Sequence, residues 1–253
     1  MELSLNTQYS HSHTITGKFI RCIELTVGYS KLLPVISGVN CEIQQGDFVV
    51  LLGRNGQGKS SLLKTLLSII PPLNGKVDHN LPTIPFQKSI AYVPSNLDIY
   101  GFVSVEEYIG FGRYQHTNFF GTLQQEDKDA IKSAIEIIGI EHLQKRQFST
   151  LSDGEKQKCH IARAIAQEPI FLILDEPTSH LDPPTKRSII SLLHTISTKN
   201  IGVLFSTHDI HSVSDISKSI WYVERNSLIV SKEHDAIPMQ LQSFYTESGI
   251  KKA

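Results

Sequence analysis

The strongest constraint on this chain is a glycine-rich segment that joins an apolar run to a helical repeat. The run before it, Phe48–Leu52, has the length of a buried strand, and apolar residues after it recur at helical spacing over residues 59–70. The segment follows the pattern GxxxxGK[ST], with Gly53, Arg54, Asn55, Gly56, Gln57, Gly58, Lys59 and Ser60. A strand, such a loop and then a helix is the setting in which a P-loop holds phosphate.

Phosphate binding is therefore the chemistry expected of this loop. Its glycines allow a tight turn whose backbone N–H groups point inward, and the helix that begins near Lys59 adds the positive end of its dipole. We expect Lys59 to reach the β- and γ-phosphates of ATP and the Ser60 hydroxyl to bind Mg²⁺, with Ser61 also at the nucleotide. A glycine-rich turn with an incidental lysine is the alternative, and the flanking elements disfavour it.

A second apolar run, residues 170–174, predicts a central parallel strand that is buried on both faces. It ends at Asp175 and Glu176, and ligands of such sheets bind at the carboxyl ends of the strands. We expect Asp175 to hold the Mg²⁺ shell and Glu176 to orient and deprotonate the attacking water. Two acidic residues that merely end a strand are the alternative.

Composition excludes several other classes of protein. The chain has 24 Lys and Arg against 25 Asp and Glu, so it lacks the basic field that nucleic-acid binding requires. No apolar stretch approaches the roughly 20 residues that cross a bilayer, so a membrane role would come from a partner. Residues 1–17 lack the pattern of a secretory signal, which predicts a cytosolic chain with a flexible polar tail.

The cysteines and the N-terminal histidines predict no metal or disulfide site. Three widely spaced cysteines without a CxxC pair argue for reduced thiols: Cys22, Cys41 and Cys159. His11 and His13 could bind a metal, but their neighbours are Ser and Thr, and a solvated tail is the favoured interpretation.

Between the two phosphate motifs lies a segment that identifies the family the chain resembles. Leu151, Ser152, Asp153, Gly154, Glu155, Lys156 and Gln157 open a predicted helix. This segment resembles the signature motif, usually LSGGQ, of the ATP-binding cassette (ABC) family. The ordered segments Ser179-His180-Leu181-Asp182 and Thr207-His208-Asp209 follow it as they do in that family. The resemblance covers residues 29–229.

The resemblance implies an α/β fold of the P-loop NTPase type. A RecA-like core with an antiparallel β subdomain would carry an inserted α-helical subdomain. On this basis we expect a flexible tail at 1–17, the nucleotide-binding core at 18–94 and 158–235, the helical subdomain with the signature at 95–157, and a C-terminal tail at 236–253. Strands are predicted at 19–25, 39–43, 89–93 and 201–206, and helices at 105–111, 127–138 and 184–197.

The resemblance also implies a homodimer in which ATP lies between the P-loop of one subunit and the signature of the other. Ser152, Asp153, Gly154 and Glu155 would then face a γ-phosphate held by the second copy. His208 would contact the γ-phosphate and the attacking water, and Asp182 would pass information between the two sites. Tyr29 lies where the family stacks an aromatic ring on adenine, although a core aromatic is the ordinary use of a tyrosine.

Two positions depart from the family pattern. Asp153 replaces the usual glycine of the signature and brings negative charge towards a triphosphate, so we expect its side chain to point away. Ser95 replaces a glutamine that contacts Mg²⁺, and its hydroxyl is too short to span the same gap. We therefore expect weak or water-mediated metal contact from Ser95, with Asn96 as a possible substitute.

Residues 103–114 and the LSDGE form of the signature look like ATPase subunits of bacterial importers for iron chelates, haem and cobalamin. That likeness implies permease subunits, a separate solute-binding protein, and a place at the cytoplasmic face of the bacterial inner membrane. Tyr100, Phe102 and Tyr108 could receive a helix of the permease, or could pack within the helical subdomain. An export-type ATPase and a soluble ATPase of iron–sulfur assembly are the alternatives.

Overall fold

The computed structural model describes residues 17–30, 32–82, 88–97, 102–117, 122–213 and 219–232. The predicted tails, except Gly17, lie outside these residues, and so do His11, His13 and Tyr100. No helix in the described ranges has both the length and the apolar character needed to cross a bilayer.

A small antiparallel sheet forms the N-terminal part of the fold. It consists of β1 (Phe19–Ser30), β2 (Leu33–Gln44) and β4 (Asn74–Asn80), in the order β2-β1-β4. The first two strands are longer than predicted, and the third was not predicted at all. Val77 is the only apolar residue of β4, so the sequence carries no alternating pattern there, and pairing with β1 defines the strand.

A larger six-stranded sheet carries the site. Its order is β5-β6-β7-β3-β8-β9, and all neighbours are parallel except β8 and β9. The strands are β3 (Phe48–Leu52), β5 (Ile90–Val93), β6 (Phe171–Leu174), β7 (Gly202–Thr207), β8 (Ser219–Glu224) and β9 (Ser227–Lys232). The carboxyl ends of β5, β6, β7 and β3 therefore meet at one edge.

Within the described ranges, five α-helices accompany the sheets. They are α1 (Lys59–Leu66), α2 (Val105–Gly110), α3 (Gln125–Ile138), α4 (Asp153–Ile165) and α5 (Pro183–Ser197). The first helix ends before the predicted Ile70, because Ser68 takes a left-handed conformation with φ 56°. The N–H groups of Ile69 and Ile70 then bond back to the carbonyl of Lys64, which closes the helix.

The large sheet separates two apolar cores, as its strand β3 shows. Phe48, Val50 and Leu52 face the core that holds α2 to α5, whereas Val49 and Leu51 face the core that holds α1 and the small sheet. Both faces of β3 are buried, as a central parallel strand requires. The loop that leaves β3 at its carboxyl end thus starts from a rigid base.

The structure decides between the two alternatives for Tyr108, since this residue belongs to the core that holds α2 to α5 and not to a docking surface. Its side chain is buried, and its hydroxyl is hydrogen-bonded to Nδ1 of His160 at 2.6 Å. Phe102, by contrast, is 89% exposed. The apolar pattern of a six-residue helix is too short to predict which of its faces packs on α4.

Candidate nucleotide site

The P-loop turns into α1 through a glycine that no other residue could replace without strain. Gly58 has φ 94°, and a Cβ there would lie 2.3 Å from Cγ1 of Val35. The N-terminus of α1 has no side-chain cap and no acidic residue in its first turn. Its N–H groups and the positive end of its dipole therefore suit an anion from outside the helix.

Lys59 is the buried cation of this loop. Its ammonium donates to the carbonyls of Gly53 (2.8 Å) and Arg54 (3.1 Å), and it lies 3.1 Å from Oε1 of Glu176. The three ammonium protons are thus directed across the loop, from its first residues to the end of β6.

Other predicted residues brace the loop or flank it. The N–H of Arg54 donates to Oε1 of Gln57 at 2.8 Å, which ties the two ends of the turn. The Ser61 hydroxyl donates to the hydroxyl of Tyr29 at 3.4 Å. Tyr29 is 72% exposed, so it is not a core aromatic, and its ring is available to stack on a base.

A cavity of about 470 Å³ lies beside the loop and is lined by nine of the predicted site residues, but Asp175 and His208 are not part of its lining. Asn96, the possible substitute for Ser95, also lies on its wall, as do Ser179 and His180, which were not predicted to line the site. The lining is Tyr29, Val35, Asn55, Gly56, Gly58, Lys59, Ser60, Ser61, Ser95, Asn96, Glu176, Ser179 and His180. Ser95, which departs from the family pattern, thus shares the cavity with Ser60.

Asp175 is a buried carboxylate at the end of β6. It is 3% exposed, its N–H donates to the carbonyl of Val93, and its Oδ1 accepts a hydrogen bond from the Ser206 hydroxyl at 2.7 Å. No ion pair among the described residues involves Asp175. A buried carboxylate is costly unless a positive charge compensates it, and carboxylate and hydroxyl oxygens are ligands that Mg²⁺ prefers. Asp175 and Ser60 therefore fit a Mg²⁺ ion.

Glu176 joins the buried lysine to His208. Its Oε2 lies 2.9 Å from Nδ1 of His208, which is the donor because an ionised carboxylate only accepts. Burial alone would raise the pKa of Glu176, but the hydrogen bond and charge of Lys59, and then those of His208, bring the pKa below its ordinary value. Glu176 is consequently ionised at neutral pH.

The signature residues lie elsewhere, and none of them lines the cavity. Ser152 caps α4, and the carboxylate of Glu155 accepts from the N–H and the hydroxyl of Ser152 at 2.8 Å each. The side chain of Asp153 is 77% exposed and lies 4.0 Å from Nζ of Lys156. Gly154 packs so closely on α5 that a Cβ there would lie 2.7 Å from the Thr185 side chain.

Asp182 is the N-cap of α5 in this chain. Its side chain caps α5 by accepting from the N–H of Thr185 at 3.3 Å, and Pro183 follows at the first helical position. The predicted role of Asp182 in communication between two sites stays a prediction.

Ser206, which bridges the two acidic residues that follow β6, was not among the predicted site residues. Its hydroxyl donates to Asp175 and accepts from the N–H of Glu176 at 2.8 Å. The available signal was a serine near the end of an otherwise apolar strand, two residues before His208. Such a position predicts a polar contact but does not name the partner.

Comparisons with known proteins agree with this geometry. The family model for the ABC transporter matches residues 36–179. The iron(3+)-hydroxamate import ATP-binding protein FhuC of Bacillus subtilis is 32% identical over 214 residues, which are 81% of this chain and 79% of the relative. The zinc transport system ATP-binding protein AdcC of Streptococcus pneumoniae is 35% identical over 222 residues, with 85% and 92% covered.

A solved transporter of the metal-chelate type, in an inward-facing conformation, has the same fold. It superimposes with a TM-score of 0.81 at 30% identity and covers 90% of this chain and 89% of its own. Along the chain, the loop at Lys59 comes first, the signature at Ser152 second and the acidic end of β6 third, which is the order found in ABC ATPases. With the family match, they show that this chain belongs to the ABC transporter family, as an ATP-binding subunit.

Proposed function

We propose that the chain hydrolyses ATP in order to drive uptake of a metal chelate through a separate permease. The observation that carries the proposal is the connected set of Lys59, Glu176 and His208. Lys59 and Glu176 line the cavity, and Asp175 precedes Glu176 in the chain. A buried cation, an ionised carboxylate and a histidine in contact supply what phosphoryl transfer to water needs.

Each residue of the site would have a separate role in ATP hydrolysis. Lys59 and the N-terminus of α1 bind and orient the β- and γ-phosphates. Glu176 accepts a proton from the attacking water, and His208 keeps its carboxylate oriented through the bond to Oε2. Held by Asp175 and Ser60, Mg²⁺ would neutralise charge on the phosphate oxygens. Tyr29 would cover the adenine.

The second copy of the chain would complete the site. The signature does not line the cavity of its own chain, while Ser152 and Gly154 stand at the exposed start of α4. A helix N-terminus attracts an anion that is brought to it from outside. These facts support a homodimer in which each ATP is bound by the P-loop of one subunit and the signature of the other.

The transport partner is inferred from the relatives and from two exposed aromatic residues. The named relatives import iron hydroxamate or transport zinc, which supports uptake of a metal or its chelate. An iron-siderophore, haem or cobalamin remains the favoured solute class. Phe102 and Tyr114 are 89% and 59% exposed and offer apolar area to a permease helix. The chain would then lie at the cytoplasmic face of the bacterial inner membrane.

Glu176→Gln tests the hydrolytic part. The amide keeps the shape of the side chain but cannot take a proton, so we expect ATP binding to persist while the rate of phosphate release falls about 10²- to 10⁴-fold. ATP should also trap the variant as a dimer, which light scattering would detect. Glu136→Gln, on the exposed surface of α3, is the matched control. Wild-type turnover by Glu176→Gln would refute the assignment.

The same variant tests the transport part. Tagged Glu176→Gln is captured from detergent-solubilised native membranes with and without ATP, and its partners are identified by mass spectrometry. A polytopic permease of the iron-chelate type would support the importer. Recovery of soluble assembly proteins alone would contradict the importer and favour an ATPase of iron–sulfur assembly.

Ser95 tests how the cavity is linked to the permease. We propose that its hydroxyl reaches the metal weakly or through a water, with help from Asn96, because both residues line the cavity. Ser95→Gln would restore direct reach and should raise hydrolysis measured in the presence of the permease. Unchanged or impaired hydrolysis would remove support for this role.

A further inference from the structure

One buried hydroxyl contacts both acidic residues at the end of β6. Ser206 is 0% exposed, and its Oγ lies 2.7 Å from Oδ1 of Asp175 and 2.8 Å from the backbone nitrogen of Glu176. A hydroxyl can donate one bond and accept others, so both contacts can exist together. The bridge crosses from β7 to β6, which are parallel neighbours in the sheet.

The bond to the Glu176 N–H supports a strained backbone. Glu176 has φ 49°, in the left-handed region that a side chain with a Cβ rarely adopts. Such a conformation persists only when neighbouring groups hold it, and the Ser206 oxygen accepts the N–H at this turn. From this turn the side chain of Glu176 reaches Lys59 and His208.

The hydrogen bond from Ser206 makes the two carboxylate oxygens of Asp175 inequivalent. Oδ1 accepts from Ser206, while no described residue donates a hydrogen bond to Oδ2. A carboxylate that is fixed through one oxygen loses rotational freedom and presents the other in a single direction. Hydrogen bonds of this kind orient metal ligands in proteins.

We propose that Ser206 is a positioning residue that holds Asp175 for Mg²⁺ and Glu176 for water with a single hydroxyl. The inference rests on the proposed hydrolysis of ATP. Without the hydroxyl, the carboxylate of Asp175 would be free to rotate and the Glu176 N–H would lose its acceptor. Alanine or valine at this position would leave both groups unpaired in a buried site.

The test compares the affinity of mant-ATP in Mg²⁺ with its affinity in EDTA. In Ser206→Ala we expect the dissociation constant in EDTA to stay within about twofold of wild type, while the constant in Mg²⁺ rises about tenfold. The Mg²⁺ concentration that half-activates hydrolysis should rise by a similar factor. Ser206→Thr, which keeps the hydroxyl, should restore both values, and Ser206→Cys, a weak donor, should lie between them.

Ser197→Ala is the matched control, because Ser197 is also buried and its hydroxyl donates to the carbonyl of His194 in α5, outside the cavity lining. It should lower the thermal midpoint without changing the ratio of the two dissociation constants. If Ser206→Ala leaves that ratio unchanged, or lowers both affinities equally, the positioning role is wrong. If Ser206→Ala fails to fold, the Thr and Cys variants decide in the same way.

The outcomes separate this inference from the function on which it rests. If the ATP affinity and the hydrolysis rate of the wild-type chain do not depend on Mg²⁺, the proposed function is wrong. A wild-type chain that depends on Mg²⁺, together with a Ser206→Ala variant that shows the same dependence, would overturn the role of Ser206 alone.

Discussion

The helices α1 and α4 begin in opposite ways, although each is expected to face a triphosphate, α1 the one bound by its own chain and α4 the one bound by the second copy. The start of α1 has a left-handed glycine at its cap, no side-chain cap and no acidic residue in its first turn. The start of α4 has a complete capping box between Ser152 and Glu155, and two acidic residues, Asp153 and Glu155, in its first turn. The start of α1 leaves its N–H groups for an anion, whereas the start of α4 satisfies two of them, those of Ser152 and Glu155, within the chain.

This difference indicates which helix determines binding and which completes the site. The buried ammonium of Lys59 supplements the dipole of α1, so this end is suited to a phosphate. Bonds from Ser152 to the carboxylate of Glu155 lower its pKa, so this charge persists at the start of α4. A helix start that already carries negative charge binds an anion weakly. It is suited to contacting a nucleotide that the P-loop of the second copy has already bound.

Lys59→Ala should have the largest effect, because it weakens nucleotide binding at the start of α1. Removing the ammonium deprives the β- and γ-phosphates of their buried cation, and we expect the affinity for mant-ATP to fall about 100-fold, or about 2.7 kcal/mol. Lys64→Ala, in the last turn of the same helix, is the control and should bind normally. A similar loss in both variants would mean that the helix as a whole, and not Lys59, determines affinity.

The start of α1 could be predicted from sequence because its signals are local. The strand Phe48–Leu52, the glycine pattern and Lys59 stand next to one another in the chain, and the acidic pair at the end of β6 is equally compact. Steric restrictions and periodicity act over a few residues, so such features can be identified without knowledge of the fold.

Contacts between distant segments could not be predicted in this way. Ser206 meets Asp175 across 31 residues, and Tyr108 meets His160 across 52. The sequence offers a polar residue in a strand or an aromatic residue in a short helix, and each has many possible partners. Only the order of the strands and the packing of α2 on α4 select the partner.

Acid should destabilise the fold through His160, in the body of α4. Burial, followed by the charges of Arg163 and Lys156, lowers the pKa of His160 to about 4 from 6.5. The unfolded chain therefore binds this proton more readily than the folded chain. The contribution to stability is complete above about pH 6.5, and roughly 2 to 3 kcal/mol of it is lost as the pH falls towards 4.

Urea unfolding at a series of pH values would measure this loss, and His160→Gln should flatten the curve between these limits. His142→Gln, on an exposed helical turn, is the control and should leave the slope unchanged. An equal slope in wild type and His160→Gln would show that other groups determine the acid response.

Ser152→Ala is the smallest of these changes and the sharpest test of what the signature does. It removes an N-cap, which costs about 1 kcal/mol of unfolding free energy. The chain contains its own control, because Ser104 caps α2 with the same capping box to Glu107. Both alanine variants should lose similar stability, but only Ser152→Ala should weaken the ATP-dependent dimer of Glu176→Gln, measured by light scattering. Equal weakening in both would reduce Ser152 to an ordinary cap, whereas a selective effect would show that the start of α4 contacts the nucleotide of the second copy.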